Sequence, residues 1–594
     1  MLSSKKYHLW LLFLGLVFLG ATATTAKEVP AERLAKSDEA IVAKIDGFLQ
    51  QGWKDNELTP SPEAEEGEFA RRATLDIIGR IPSYDELLDF LEDDSSDKKQ
   101  KYVNYLLSHP DYIRHWTNIW GNMLVGRGNI RRGNRAAFDK WLRNAFYKNM
   151  RYDKFVFELI SAEGKNNENG AVSFLASHLN NGAVPATAIT SRVFLGLQVQ
   201  CTQCHNHPFN NAKQSQFWGM NAFFRGTRRQ RNEDQNSFTL VDNPVTIISF
   251  YEKRSGFLEA TKRQFVDGTT VKMDETSKPR LQLAKLVTDP KQPFIARTEV
   301  NRMWGHLFGY GFTRPVDDMG AHNPPSHPKL LDFLSDEFRK SGYNRKRLIR
   351  WITATKAYRL TSQSTEGNNT DNPAAGNTPL FSKVYVKSFS AEQLYNSLLI
   401  ATEVDKVNRN AASAEQQRSN WLKQFVQTFG TDENDESTTF NGTIPQALVM
   451  MNGSLTQNAI NGQKGGFLYR LLSTPDGKLK RTSTLSRNPS EQQTFVKKKV
   501  RKKNKKKKKK RSRNKRTARN LDKKNNPQQI RNGRRAIPKK IETLFMITLA
   551  RKPTEHEMVS FNDIFSSSGE KDPILGMQDV FWALLNCNEF IVNH

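Results

Sequence analysis

Residues 137–159, AFDKWLRNAFYKNMRYDKFVFEL, set Phe138, Trp141, Leu142, Ala145 and Phe146 three and four positions apart. That spacing puts apolar side chains on one face only in a helix. The same interval recurs upstream at 41–49, 69–78, 84–91 and 102–107, with Pro82 and Pro110 as breaks. Short, closely packed helices are therefore expected over the first half of the chain. Residues 186–200 continue the pattern, read as a helix that starts beside Pro185 and runs into a cysteine pair.

Between about residues 237 and 268 the pattern changes. Phe238-Thr239-Leu240-Val241 and the run from Val245 to Tyr251 are β-branched and alternating, as in a small sheet. Helical spacing returns at 294–308, 330–338, 347–358 and 391–401, and again at 541–549 and 579–590. The expected fold is mainly α: two helical domains separated by a small β segment, with a disordered polybasic insertion. The boundaries read as 27–235 for the N-terminal helical domain and 236–290 for the β segment and linker. The C-terminal helical domain follows at 291–490, the insertion at 491–537, and helices completing the second domain at 538–594.

The start of the chain carries Lys5 and Lys6, an apolar run over 9–19, and small residues at Ala21-Thr22-Ala23 and Thr24-Thr25-Ala26. This is the pattern of a cleavable signal peptide over 1–26, cut after Ala23 or Ala26. The apolar run is shorter than the ~20 residues of a spanning helix. An exported protein is expected, in the periplasm or at the cell surface, with no integral membrane association after cleavage.

The formal net charge of +29 is concentrated. From Lys497 to Arg535 there are 22 Lys or Arg against one acid, Asp522, which leaves 68 basic and 60 acidic residues elsewhere. Such a run cannot bury a core and repels itself. In an exported chain its expected partner is an anionic polymer or surface, against the alternative of a solvated insertion with no dedicated partner.

Three cysteines, Cys201, Cys204 and Cys587, exclude a disulfide-rich scaffold. The run Cys201-Thr202-Gln203-Cys204-His205 has the spacing of covalent haem c attachment, two thiols for the vinyl groups and an imidazole for iron. Competing readings are zinc or another metal held with His205 and His207, and a structural disulfide or thiol pair with no cofactor. A thioredoxin-like dithiol fits less well, because the pair follows a helical pattern. Met220, Met303, His115, His178, His306 and His322 are the residues from which a second iron ligand could come. A second polar cluster, Asp317, Asp318, His322, Asn323 and His327, reads either as a hard-metal or acid–base site or as turn and cap residues before a helix near Lys329. Cys587 reads as a buried thiol or one that pairs between chains.

Several passages together carry a family resemblance. Glu68-Phe69-Ala70-Arg71-Arg72 with Leu75-Asp76-Ile77-Ile78-Gly79, Asn149-Met150-Arg151-Tyr152-Asp153-Lys154-Phe155, and LGLQVQCTQCHNHPF ending at Phe209 resemble the planctomycete cytochrome-type domain of unknown function. FIARTEVNRMWGHLFGYGFTRPVDDMGAHNPPSHPKLLDFL over 294–334 is similar to its C-terminal partner domain, also of unknown function. Thr443-Ile444-Pro445-Gln446-Ala447-Leu448, Met451-Asn452-Gly453, and Trp582-Ala583-Leu584-Leu585-Asn586 with Glu589-Phe590 extend the match over nearly the whole mature chain. The resemblance implies a secreted, helical, two-domain protein with haem or metal at the cysteine motif and a secreted sulfatase- or phosphatase-like partner. The chain departs from the family in having Asn206 and Asn210 where acids are usual, no cysteine pair over 431–442, no separate N-terminal cytochrome domain, and the polybasic insertion. Loss of the acids removes carboxylates that could orient an imidazole.

Overall fold

The computed structural model describes residues 31–594 except 128–132, 208–211, 234–236, 244–248, 254, 272–277, 407–410, 431–443, 464, 476, 478, 480–535 and 570–571. The expected signal peptide, the run from Lys497 to Arg535, residues 431–442 and Asn210 lie outside the described residues. Among the described residues the chain is mainly helical, as the periodicity predicts, and no helix is long and apolar enough to cross a membrane.

The N-terminal helices are α1 (Ala31–Asp55), α2 (Glu66–Ile78), α3 (Tyr84–Leu91), α4 (Lys98–Ser108), α5 (Pro110–Val125), α6 (Arg135–Tyr147) and α7 (Tyr152–Ser161). Their ends follow local chemistry. Ser83 and Glu86 form a reciprocal capping box at α3, and Pro110 opens α5. The 137–159 stretch makes two helices, not one. Asn149 adopts a left-handed conformation (φ 47°), and the Met150 amide turns back to donate to the Ala145 carbonyl at 2.8 Å.

After α8 (Val172–Ala176), α9 (Val184–Thr190) continues through one wider π turn, Ser191–Leu195. Here the structure corrects the expectation of a helix reaching the cysteines. Gly196 (φ 67°) ends the helix in the left-handed region, five residues short of Cys201. The next helix is α10 (Gln214–Asn221).

The β segment is two small sheets. Strands β1 (Gly164–Lys165), β2 (Thr227–Arg231) and β3 (Phe238–Asp242) lie antiparallel in the order β1-β3-β2, with Arg229 opposite Leu240. Strands β4 (Ser249–Glu252) and β5 (Leu258–Thr261) form a hairpin with Tyr251 opposite Glu259. Then come α11 (Pro279–Val287), α12 (Phe294–Phe308), α13 (Pro328–Lys340) and α14 (Arg345–Ala354).

After strand β6 (Lys387–Ser388), the remaining helices are α15 (Ala391–Thr402), α16 (Ala411–Phe429), α17 (Ile444–Asn452), α18 (Ser454–Ala459) and α19 (Phe467–Leu472). The chain closes with α20 (Ile537–Leu549), α21 (Glu555–Gly569), α22 (Pro573–Asn586), α23 (Asn588–Ile591) and β7 (Val592–Asn593), which pairs antiparallel with β6.

Two apolar cores hold these elements. Helices α11–α14 share the first core with α1–α7, through residues such as Trp120, Phe155, Trp304 and Leu334. The second core, with Leu398, Phe425, Leu544 and Phe581, gathers α15, α16 and the helices after them. Helix α2 serves both: Phe69 and Ile77 face the first, Leu75 the second.

The charged residues of α2 are the seam. Arg71 and Arg72 are fully buried. Arg71 donates to the carbonyls of Thr548 (2.6 Å) and Phe590 (2.8 Å). Arg72 donates to those of Tyr358 (2.7 Å), Leu360 (2.9 Å) and His594 (3.0 Å), and to Glu68 (2.6 Å). Guanidinium groups can be buried this way because carbonyls take up their N–H groups. The Glu68–Arg72 signature thus reads as a structural clasp on the C-terminal segment.

Candidate functional site at the cysteine turn

Cys201 sits on a 3-10 turn, Gln200–Gln203, that follows the left-handed Gly196, and Cys204 caps its end. On such a turn residues three apart share a face. Thr202 points inward, 1 % exposed, its hydroxyl donating to the Val199 carbonyl at 2.6 Å. Cys201 and Cys204 are both exposed free thiols.

The turn is fastened from behind by α10. The Gln203 carbonyl accepts from the Gln214 side-chain amide and the Trp218 indole, both at 3.1 Å. Gln214 also donates to the Glu252 carbonyl at 2.9 Å, and Trp218 stacks on Tyr251, which brings the β4–β5 hairpin against the same helix. Asn206 accepts from the Gln214 backbone N–H at 2.9 Å, capping the start of α10. An amide oxygen is enough for this contact, so the cap needs no carboxylate at position 206.

His205 is exposed, with Nδ1 2.7 Å from the Asn206 carbonyl. A carbonyl only accepts, so Nδ1 is the donor in this contact and Nε2 is the ring nitrogen left to bind a metal. Two exposed thiols beside an imidazole oriented by a backbone carbonyl fit the donor chemistry of covalent haem attachment.

The second polar cluster adjoins the turn, a relation invisible along the chain. The Met319 amide donates to the Gly196 carbonyl at 2.7 Å and docks the loop against the end of the α9 helix. A Cβ on Gly196 would lie 2.9 Å from Thr298 Oγ1 and 3.0 Å from Met319 Sδ, so the close approach needs glycine. In that loop His322 Nε2 is 2.9 Å from Asp318 Oδ2, and the His322 ring lies 5.4 Å from that of His207. Asp317 is taken up by Gln198 (3.2 Å) and Arg192 (3.6 Å).

Of the metal ligands suggested by the sequence, Asp318 pairs with His322, whose ring adjoins that of His207, while Asp317 pairs with Gln198 and Arg192 and His205 with the Asn206 carbonyl. Among the described residues, no three or more His, Cys, Asp or Glu side chains form a group that could hold a metal ion. Asn323 braces the loop by donating to the carbonyls of Asp318 (2.7 Å) and Arg314 (3.0 Å). His327 stands against Phe381 and Phe312, and burial pushes its pKa down to about 4.

Of the residues considered as a second iron ligand, Met220 and His322 line a cavity of about 280 Å³ behind the cysteine turn, on the side of Thr202. His115 and His306 lie together elsewhere, rings 5.8 Å apart, with His306 Nε2 2.8 Å from the Asp76 carbonyl; burial lowers both pKa values. His178 Nε2 is 2.8 Å from the Leu124 carbonyl, and Met303 is buried in the first core. Cys587 is half-buried, its thiol 3.1 Å from the Leu584 carbonyl.

Compared with known families, residues 44–229 match the model of PSCyt2, a protein of unknown function (DUF1549). Residues 279–565 match that of PSD1, a protein of unknown function (DUF1553). The cysteine turn lies in the first match and the Asp317–His322 loop in the second. No curated protein and no solved structure matches the chain.

Proposed function

We propose that this chain, which carries two domains of unknown function in tandem, is an exported redox protein with haem c joined to Cys201 and Cys204 and His205 as the proximal ligand. The observation that carries this reading is the contact of His205 Nδ1 with the Asn206 carbonyl, which leaves Nε2 as the nitrogen for iron next to two exposed free thiols. Thioether attachment needs accessible thiols, and iron needs a deprotonated imidazole nitrogen. The signal-like N-terminus fits the compartment in which such attachment occurs. A bound haem would supply one-electron transfer. The protein's part is to hold the motif rigidly, through Gln214 and Trp218 on the Gln203 carbonyl.

The test is a pyridine haemochrome spectrum and haem-stained denaturing gel of protein exported from a host with cytochrome c maturation. Covalent haem lost on Cys201→Ala supports the reading; haem-free protein overturns it. Zinc in place of haem, found by metal analysis and lost with Cys204→Ala, would select the other metal reading.

A second reading, a binding or assembly protein, is favoured by the exposed Phe257 and Leu258 at the hairpin that packs on α10, together with the charge between Lys497 and Arg535. An anionic polymer is the partner expected for that charge, and a secreted sulfatase- or phosphatase-like protein the one the family resemblance suggests. Deletion of 497–535 should then abolish salt-sensitive retention on an anionic matrix. Retention by the deleted chain would count against it.

A further inference from the structure

We propose that the cavity between the cysteine turn and the Asp317–His322 loop is a binding site for a small uncharged aromatic alcohol, a monocyclic phenol. Its volume of about 280 Å³ is roughly twice that of the ~150 Å³ apolar cavity that takes up benzene, room for one substituted ring. The walls are chiefly apolar: Leu197, Val199, Phe217, Met220 and Val266 line it, with Phe217 and Met220 almost fully buried. The two charged side chains in the lining, Lys213 and Asp318, are of opposite sign and call for no net ligand charge.

Of the polar groups in the lining, which include Gln198, Thr202 and Gln216, one is buried without a partner. Ser191 lines the cavity and is fully buried, and its hydroxyl has no hydrogen-bond partner among the described residues. A buried hydroxyl left unpaired is costly, and a ligand hydroxyl would pair it. The loop side presents His322, held by Asp318 at 2.9 Å. The site draws on both family-matched regions, so it exists only in the tandem arrangement.

The inference does not depend on the thiols, and the experiment keeps the two apart. Phenol binding is measured by calorimetry and saturation-transfer NMR on the full-length Cys201→Ala/Cys204→Ala protein, with benzoate as the anionic comparison. Phenol is expected to bind and to be preferred over benzoate. Met220→Trp, which fills the cavity, should weaken binding about tenfold or more. Ala321→Trp places bulk at an exposed lining position, should act in the same direction, and cannot disturb the core. Absence of phenol binding, preference for benzoate, or affinity unchanged in both tryptophan variants would overturn the proposal.

Discussion

Asp76 on α2 and Lys387 on β6 meet 2.6 Å apart as a buried ion pair, and neither has access to water beyond a few per cent of its surface. Both make further buried hydrogen bonds. Asp76 also accepts from the Tyr358 hydroxyl (2.8 Å) and the Asn593 amide (2.7 Å), and Lys387 donates to the carbonyls of His306 (2.8 Å) and Leu307 (2.9 Å). The pair therefore ties α2, α12, the 358 turn and the C-terminal strand together.

Breaking that pair leaves a buried charge without its partner. Asp76→Ala is expected to cost about 3–5 kcal/mol, read as a lower urea midpoint. Replacing both, as Asp76→Leu with Lys387→Met, should cost less than the single change, because no charge is stranded. A double-variant loss equal to the sum of the two single losses would show that the pair is not coupled.

This hub was not legible in advance, and the reason is physical. The partners of Arg71 and Arg72 are mainly backbone carbonyls hundreds of residues away, which leave no signature in side-chain pattern. Helices whose ends are written locally were legible: Tyr84–Leu91 behind its capping box and Phe294–Phe308 between Pro293 and Gly309 have the bounds that spacing suggests. The 186–200 stretch misled, because spacing cannot report the left-handed Gly196. At the site, the thiol pair and the Asp317–His322 loop were each readable; their adjacency rests on the Met319–Gly196 backbone bond and emerges only in the fold.

That junction makes Gly196 sensitive to substitution. Gly196→Ala meets both a left-handed backbone and the Thr298 and Met319 side chains, and should cost at least about 1–2 kcal/mol. Because the strain falls where the loop docks, proteolysis near 317–322 should accelerate more than global unfolding does. Unchanged proteolysis with unchanged stability would show that the loop is not held through this contact.

Two buried glutamates should give opposite pH dependence. At Glu86 burial disfavours the charge, but the bidentate Arg80 (2.7 and 2.8 Å), the Ser83 N–H and His109 outweigh it and hold the pKa well below the ordinary 4.5. Its stabilisation is present above about pH 4.5 and is lost as pH falls. At Glu299 burial dominates over Arg345, Arg302 and Tyr152 and pushes the pKa up to about 7. The folded state there keeps a proton that the unfolded chain releases, so its contribution is full below about pH 4.5 and declines as pH rises through 7. Urea midpoints from about pH 3 to pH 8 should lose their acid-side fall in Glu86→Gln and their decline toward neutrality in Glu299→Gln. A variant with the parent's slope would remove that glutamate from the account.

The three thiols differ in access, which gives a test on haem-free protein made without cytochrome c maturation. Cys201 and Cys204 lie exposed on the outer face of their turn, whereas Cys587 is half-buried and burial raises its pKa. Alkylation requires both contact and thiolate. Brief iodoacetamide treatment of the native, reduced chain should label Cys201 and Cys204 and leave Cys587 largely unmodified until denaturant is added, as read by peptide mass spectrometry. Mature haem-loaded protein should then show neither Cys201 nor Cys204 labelled even after denaturation, because a thioether has no thiol to give. Labelling of Cys201 and Cys204 in that denatured mature protein would exclude covalent attachment, whatever the spectrum shows.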